Sequence, residues 1–248
     1  MKAIDKKLLR DLWLMRSQVL TIALVVAAGI AGFVGSLSTY ESLRTSLASY
    51  YDTARFADIF SDLKRAPKSV EHLIAAIPGV ADAETTINFD VTLDLPDATG
   101  PTIGRMIGLV NGAQPRLNKI FIRRGRMIES SRANEVIVSE GFALAHKLQP
   151  GDHIAALLNG KRETLAIVGI ALSPEYVYAW GGGALPDPAS FGVFWIDRTR
   201  LAGAFSMEGA FNRVAIRLAS DAFMQSVIDT LDRILAPYGG LNAHGRDE

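Results

Sequence analysis

From Ser17 to Tyr40 the chain carries no charged residue. The most apolar part, Val19 to Leu37, counts 19 residues, roughly 28 Å of α-helix at 1.5 Å per residue, which matches the hydrocarbon thickness of a bilayer. In lipid every backbone polar group must be bonded within its own segment, so such a stretch has one structure open to it, a helix. Lys2, Lys6, Lys7, Arg10 and Arg16 precede it, opposed only by Asp5 and Asp11. Positive flanks stay cytoplasmic, which predicts that everything after Leu37 is carried across the membrane. A cleaved signal peptide, cut near "VAAG", is the competing reading. Its apolar region usually spans about 7–15 residues; the longer run here and the long basic segment before it favour an uncleaved anchor.

Two rows of small residues cross this run at i, i+4 spacing: Ala27, Ala31 and Gly35, and beside them Ala28, Gly32 and Ser36. Small-residue faces let helix backbones approach closely in lipid. Ala28, Gly32, Gly35 and Ser36 are therefore candidates for helix packing, although Gly and Ala are frequent in membrane helices in any case. Before the run, Ile4, Leu8, Leu9 and Leu12 share one helical side with the basic residues elsewhere. That pattern predicts an amphipathic helix on the cytoplasmic surface with Arg10, Trp13 and Arg16 at the interface; a basic flank that only sets topology has the same composition. After the run, Leu37, Tyr40, Leu43, Leu47, Tyr50 and Ala54 recur at steps of three or four, and no Pro or Gly occurs between Ser36 and Phe56. The helix is expected to continue as a stalk whose stripe, with Tyr40, Leu43 and Leu47 at its centre, packs on the soluble domain or on a partner stalk.

The rest of the 248-residue chain is long enough for one sizeable domain or two small ones. Lys plus Arg and Asp plus Glu number 26 each, so no basic excess points to nucleic acid. The absence of cysteine removes disulfides and thiolate metal sites and is compatible with an extracytoplasmic location. No P-loop occurs, since "NGKRET" lacks the loop length and the hydroxyl. The histidines, His72, His146, His153 and His244, show no H-x-x-H or HExxH spacing, and no G-x-S-x-G occurs. We expect neither cofactor nor metal, and no enzyme.

"FADIFSDL" is predicted as a strand and "KSVEHLIAAIPGV" as a helix, with Ser69 as N-cap and Leu73, Ile74 and Ile77 inward. "ADAETTINFDVTLDL" alternates as one long strand, and "TIGRMIGLV" as another. A smaller β-rich part follows: "EVIVSE" and "QPGDHIAALL" as strands around a short helix, an Asn159-Gly160 hairpin turn, and "RETLAIVGIAL" returning. Then come "GVFWIDR", a short helix, "FNRVAIRLA" as a strand, and an amphipathic helix capped by Ser220 or Asp221 and ended by Pro237. The predicted fold class is α+β, a split β-α-β domain with a mostly-β subdomain inserted midway. The expected boundaries are a cytoplasmic segment 1–18, a membrane helix 19–37, a stalk 38–55, a porter-like α+β domain over 56–115 and 188–240, the inserted subdomain 116–187, and a tail 241–248.

This order, together with "RRGR" (123–126), "EVIVSEGFALAHKLQPGDHI" (135–154) and "GKRETLAIVGIALSPEYVY" (160–178), resembles the first half of MacB-type, FtsX-like ABC-transporter permeases. The resemblance covers nearly the whole chain, and its motifs form folds rather than catalytic sites. It implies a membrane permease subunit, or the N-terminal fragment of one, coupled to a separate cytoplasmic ABC ATPase by mechanotransmission, for export or for lipid or lipoprotein handling. It also implies the cell inner membrane as location. The partners it implies are the ATPase, membrane lipid, and either the remaining permease helices or a second permease copy. The sequence stops at "APYGGLNAHGRDE", where that family would soon enter its second membrane helix, so a fragment or truncated product is expected. The alternative is a signal-anchored periplasmic adaptor or binding module without an ATPase. One stretch, "EYVYAWGGGALPD" (175–187), has an aromatic character of its own. Tyr176, Tyr178 and Trp180 could line an exposed partner-binding loop, or plug the seam between subdomains.

Overall fold

The computed structural model describes residues 7, 10, 13–95, 100–132, 134–176 and 187–246. They fall into two compact units, Met1–Tyr50 and Tyr51–Glu248.

In the first unit, helix α1 runs unbroken over Arg16–Thr53, 38 residues, its last three belonging to the second unit. The continuity follows from the lack of Pro or Gly between Ser36 and Phe56. None of its residues is buried. Tyr40, Leu43 and Leu47 are exposed on the helix. A 3–4 spaced stripe establishes that a face is apolar, not what lies on it. Of the expected amphipathic segment, residues 1–6, 8–9 and 11–12 lie outside the described residues; Lys7, Arg10 and Trp13 are helical and exposed.

The second unit contains, in chain order, β1 (Ile59–Pro67), α2 (Glu71–Ala75), β2 (Val80–Thr86), β3 (Asn88–Asp94), β4 (Thr102–Leu109), β5 (Phe121–Gly125), β6 (Glu135–Ser139), α3 (Glu140–Ala145), β7 (His153–Leu158), β8 (Lys161–Leu172), β9 (Phe191–Asp197), α4 (Arg198–Phe205), β10 (Ala210–Leu218), α5 (Met224–Leu235) and β11 (Leu241–Gly245). Four strands form an antiparallel sheet in the order β11-β1-β10-β2. β1-α2-β2 and β10-α5-β11 are two β-α-β units, each with a strand of the other between its own two, which is the split β-α-β arrangement. The helices cover one face, where Ile59, Val214 and Ile216 meet Ile74, Val227, Leu231 and Leu235.

The other sheet has the order β5-β8-β6-β9-β4-β3-β7, and β8 also pairs with β7. The ladder therefore closes on itself as a ring of six strands, β8-β6-β9-β4-β3-β7, with β5 added along β8. Closure removes the free edges that would invite aggregation. Val91, Met106, Val138, Ile154, Leu165, Ile167, Phe194 and Ile196 fill the interior, as a barrel this small requires. β9 is buried along its whole length because it packs on both faces. Phe194 and Ile196 point into the barrel, and Phe191, Val193 and Trp195 into a second apolar layer with Ile107, Ile120 and Ile137.

Turn chemistry sets several joints. Asn159 and Gly160 both have positive φ, 48° and 82°, as a two-residue hairpin turn demands. Gly125, in "RRGR", sits at φ 77°, and a Cβ there would meet Val168 O at 2.1 Å, so β8 runs too close for any side chain. Asp197 caps α4 by accepting from the backbone N–H of Thr199 at 2.9 Å.

Several expectations change. The predicted strand over 81–95 is two strands in different sheets, parted at Ile87; apolar alternation runs straight through the break, so periodicity could not reveal it. β3, β4 and β9, expected in the porter-like part, belong to the barrel sheet, and residues 241–245, expected as tail, form edge strand β11. β1 starts at Ile59 and continues through Pro67, tolerated at the strand's end. Leu73 is exposed while Ile74 and Ile77 are buried. Neither Ser69 nor Ser220 nor Asp221 caps a helix: Val70 precedes α2 and Phe223 precedes α5, both without a side-chain cap.

Candidate functional site

Two places carry functional geometry. On α1, a Cβ added at Gly29, Gly32 or Gly35 would meet nothing within 4 Å, so Ala28, Gly32, Gly35 and Ser36 lie on a smooth, open face. Ser36 Oγ donates to Gly32 O, Thr39 Oγ1 to Gly35 O and Thr21 Oγ1 to Ser17 O, each at 2.9 Å. The helix thus satisfies these hydroxyls against its own carbonyls, the arrangement apolar surroundings require. At the other end of the apolar run, the Arg16 guanidinium lies 5.5 Å from the Trp13 ring and Trp13 is exposed, which suits the headgroup region.

The second place is the joint between the four-stranded sheet and the barrel. The chain crosses it twice, through Ile87 between β2 and β3 and through residues 206–209 between α4 and β10. Two side chains fasten these crossings to each other. Asn212 accepts from Asn88 N at 2.8 Å and donates to Asn88 O at 2.7 Å, standing in for a ladder rung where the strands part. Arg198 donates to Thr85 O at 2.8 Å and Ala210 O at 3.1 Å. Burial lowers its pKa, with Glu71 and Glu84 opposing.

A polar relay then runs from the end of α1 into the seam. Ala54 O and Arg55 O accept from Lys119 N and Asn118 N. Asn118 Oδ1 accepts from Ala57 N at 2.8 Å, and its Nδ2 donates to Glu175 Oε2 at 2.6 Å. Glu175 Oε1 lies 2.8 Å from Arg213 Nη2, and Arg213 Nη1 reaches Asp62 Oδ1 at 2.8 Å. Burial works against the Arg213 charge, but Glu175, Tyr176 and Asp62 outweigh it and hold the guanidinium above its ordinary pKa. Its plane lies 5.3 Å from the Phe60 ring. Nearby, burial pushes the Glu84 carboxyl up, opposed by N–H donors from Leu117 and Arg116.

Tyr176, for which the sequence allowed an exposed loop or a place in the seam between subdomains, has its hydroxyl buried in this seam; burial first, then Glu175, raise its pKa. Tyr178 and Trp180 lie outside the described residues. Arg10, Trp13 and Arg16 are exposed. Asn118, Glu175, Arg198, Asn212 and Arg213 were missed. For Asn212 and Arg213 the signal available was "FNRVAIRL", where two adjacent polar residues break the strand's alternation. Among the described residues no group of His, Asp and Glu could hold a metal ion.

The chain is similar to the extracellular domain of the noncanonic ABC-type transporter YknZ from Gram-positive bacteria, at 13% identity and a TM-score of 0.47, over 76% of this chain and 98% of that one. It is also similar to the periplasmic region of MacB from Actinobacillus actinomycetemcomitans, at 8% identity and a TM-score of 0.46, over 82% and 94%. No protein-family model matches the sequence, and no curated protein matches it.

Proposed function

We propose that this chain is the anchor and extracytoplasmic part of an ABC-transporter permease of the MacB-like, FtsX-like type, acting by mechanical coupling rather than catalysis. One observation carries the reading. A helix whose residues 17–40 carry no charge, long enough to span a membrane, runs unbroken to Thr53, and its last residues belong to the compact unit of split β-α-β sheet and barrel. Displacement of the helix end would reach the barrel through Asn118, Glu175 and Arg213, because those bonds join one to the other. The ATPase, with further membrane helices or a second copy to engage the Gly32 and Gly35 face, completes the assembly, with the N-terminus in the cytoplasm.

The test is purification of the tagged chain from native membranes in mild detergent, followed by mass spectrometry. An intact N-terminus with a co-purifying ABC ATPase is the expected result. An intact chain without an ATPase overturns the reading in favour of an anchored adaptor, and a chain cut near Ala28 overturns the anchor.

A further inference from the structure

Residues 114–120 form a clasp between the end of α1 and edge strand β2. Gln114 closes it, its Nε2 donating to Ile120 O at 2.7 Å and its Oε1 accepting from Ile120 N at 3.2 Å. On one side the clasp holds the helix exit. Lys119 N donates to Ala54 O at 2.8 Å and Asn118 N to Arg55 O at 3.1 Å, carbonyls that a helix end cannot satisfy by itself. Arg55 and Asn118 both have positive φ, 48° and 53°, a conformation that residues other than glycine keep only where their surroundings enforce it. On the other side Glu84 of β2 holds the clasp. Its Oε1 accepts from Arg116 N at 3.2 Å and its Oε2 from Leu117 N at 2.7 Å.

Among the described residues these two N–H groups are the hydrogen-bond donors to Glu84, and no cation forms an ion pair with it. Arg116 turns its exposed guanidinium to Asp82 at 3.2 Å and to Ala83 O at 2.6 Å instead. Asp82, two residues along the strand, is shared with Arg55 and adds negative charge beside Glu84. Arg198 is spent on the carbonyls of Thr85 and Ala210. Lys68, Glu71 and His72 border a cavity on one side of Glu84. Glu175, Tyr176 and Arg213 border another, where Arg213 is already met by Asp62 and Glu175. Burial therefore pushes the Glu84 carboxyl up, against the pull of the Leu117 and Arg116 N–H groups.

We propose that Glu84 is an acid-responsive latch: on taking up a proton it lets go of the Arg116 and Leu117 N–H groups and loosens the clasp on the end of α1. Hydrogen bonds to an ionised acceptor are roughly twice as strong as neutral ones, and the protonated oxygen becomes a donor that faces an N–H. The latch differs from acid unfolding. A carboxyl whose folded pKa is raised binds its proton in the folded chain first, so acidification through that value favours the folded unit even as the clasp opens locally. The latch belongs to the Tyr51–Glu248 unit; that its opening uncouples α1 from the sheets rests on the permease reading.

The test is amide exchange of the full chain in detergent, read by mass spectrometry from about pH 7.5 to about pH 5 and corrected for the intrinsic exchange rate. Protection of the 114–120 segment should fall about five- to tenfold across this range, while buried β9 keeps its own as the folding control. Glu84→Gln keeps the shape and one acceptor oxygen without the charge, and should show the low protection at every pH. His72→Gln should keep the wild-type profile. Protection of the wild-type clasp that does not change with pH overturns the proposal, and this profile decides alone if Glu84→Gln misfolds. Wild-type pH dependence retained in Glu84→Gln, or lost in His72→Gln, also overturns it. Any of these leaves the permease reading standing, since the co-purifying ATPase tests that separately.

Discussion

Replacing Arg213 with Met keeps most of the apolar stem and removes the charge at the centre of the joint. The Arg213 and Glu175 side chains are only 13% and 14% exposed, so the variant leaves a largely buried carboxylate without its guanidinium, held by neutral donors such as Asn118. Removing one member of a buried ion pair costs about 3–5 kcal/mol. The lower end applies here, because Asn118 still donates to Glu175 and because Asp62, at 54% exposure, contributes as an exposed pair would. The expected loss of about 3 kcal/mol would lower Tm by roughly 6–12 °C for a folded unit of this size. The assay is thermal unfolding of the full chain in detergent, followed by tryptophan fluorescence, since Trp195 is buried. The double variant Arg213→Met/Glu175→Gln removes both charges and should regain much of the loss. A single variant that loses under about 1 kcal/mol, or a double variant no more stable than the single, would refute the assignment of a buried pair to this joint.

Asn118→Ala removes bonds to Ala57 and Glu175 and should cost about 2 kcal/mol, read as a shift in urea midpoint; a neutral result would show that the relay is slack. Gly125→Ala places a Cβ against Val168 O and should destabilise by more than about 1 kcal/mol, with exchange protection lost first in β5. The Arg126 bond holds the Glu135 carboxyl below its ordinary range, with burial opposing. A depressed carboxylate stabilises the fold above its unfolded pKa and loses that contribution as pH falls through the folded one. Acidification from about pH 6 to about pH 3 should therefore lower the wild-type urea midpoint more steeply than that of Glu135→Gln, the two converging at the acid end; parallel curves would remove Glu135 from the account. Gly32→Leu with Gly35→Leu should leave the Tyr51–Glu248 unit folded, since a Cβ at either site meets nothing, yet reduce assembly on native gels; unchanged assembly would deny the face a partner.

The sequence alone determined the features that depend on local chemistry. Charge exclusion and length fixed the helix, the lack of Pro and Gly carried it to Thr53, and Asn159-Gly160 placed a hairpin whose two positive φ values the backbone adopts. The alternation of two β-α-β segments around a β-rich insert also pointed to the split sheet that forms. Tertiary structure decided what alternation cannot encode, namely which sheet a strand joins. The apolar period runs unbroken through Ile87, yet β2 pairs with β10 and β3 with β4 and β7, because β10 and β7 come from distant parts of the chain. The joint is of the same kind. Asn88 and Asn212 are 124 residues apart, and Asp62 and Arg213 are 151 apart. A polar residue in a strand announces that it needs a partner; only the folded chain supplies one.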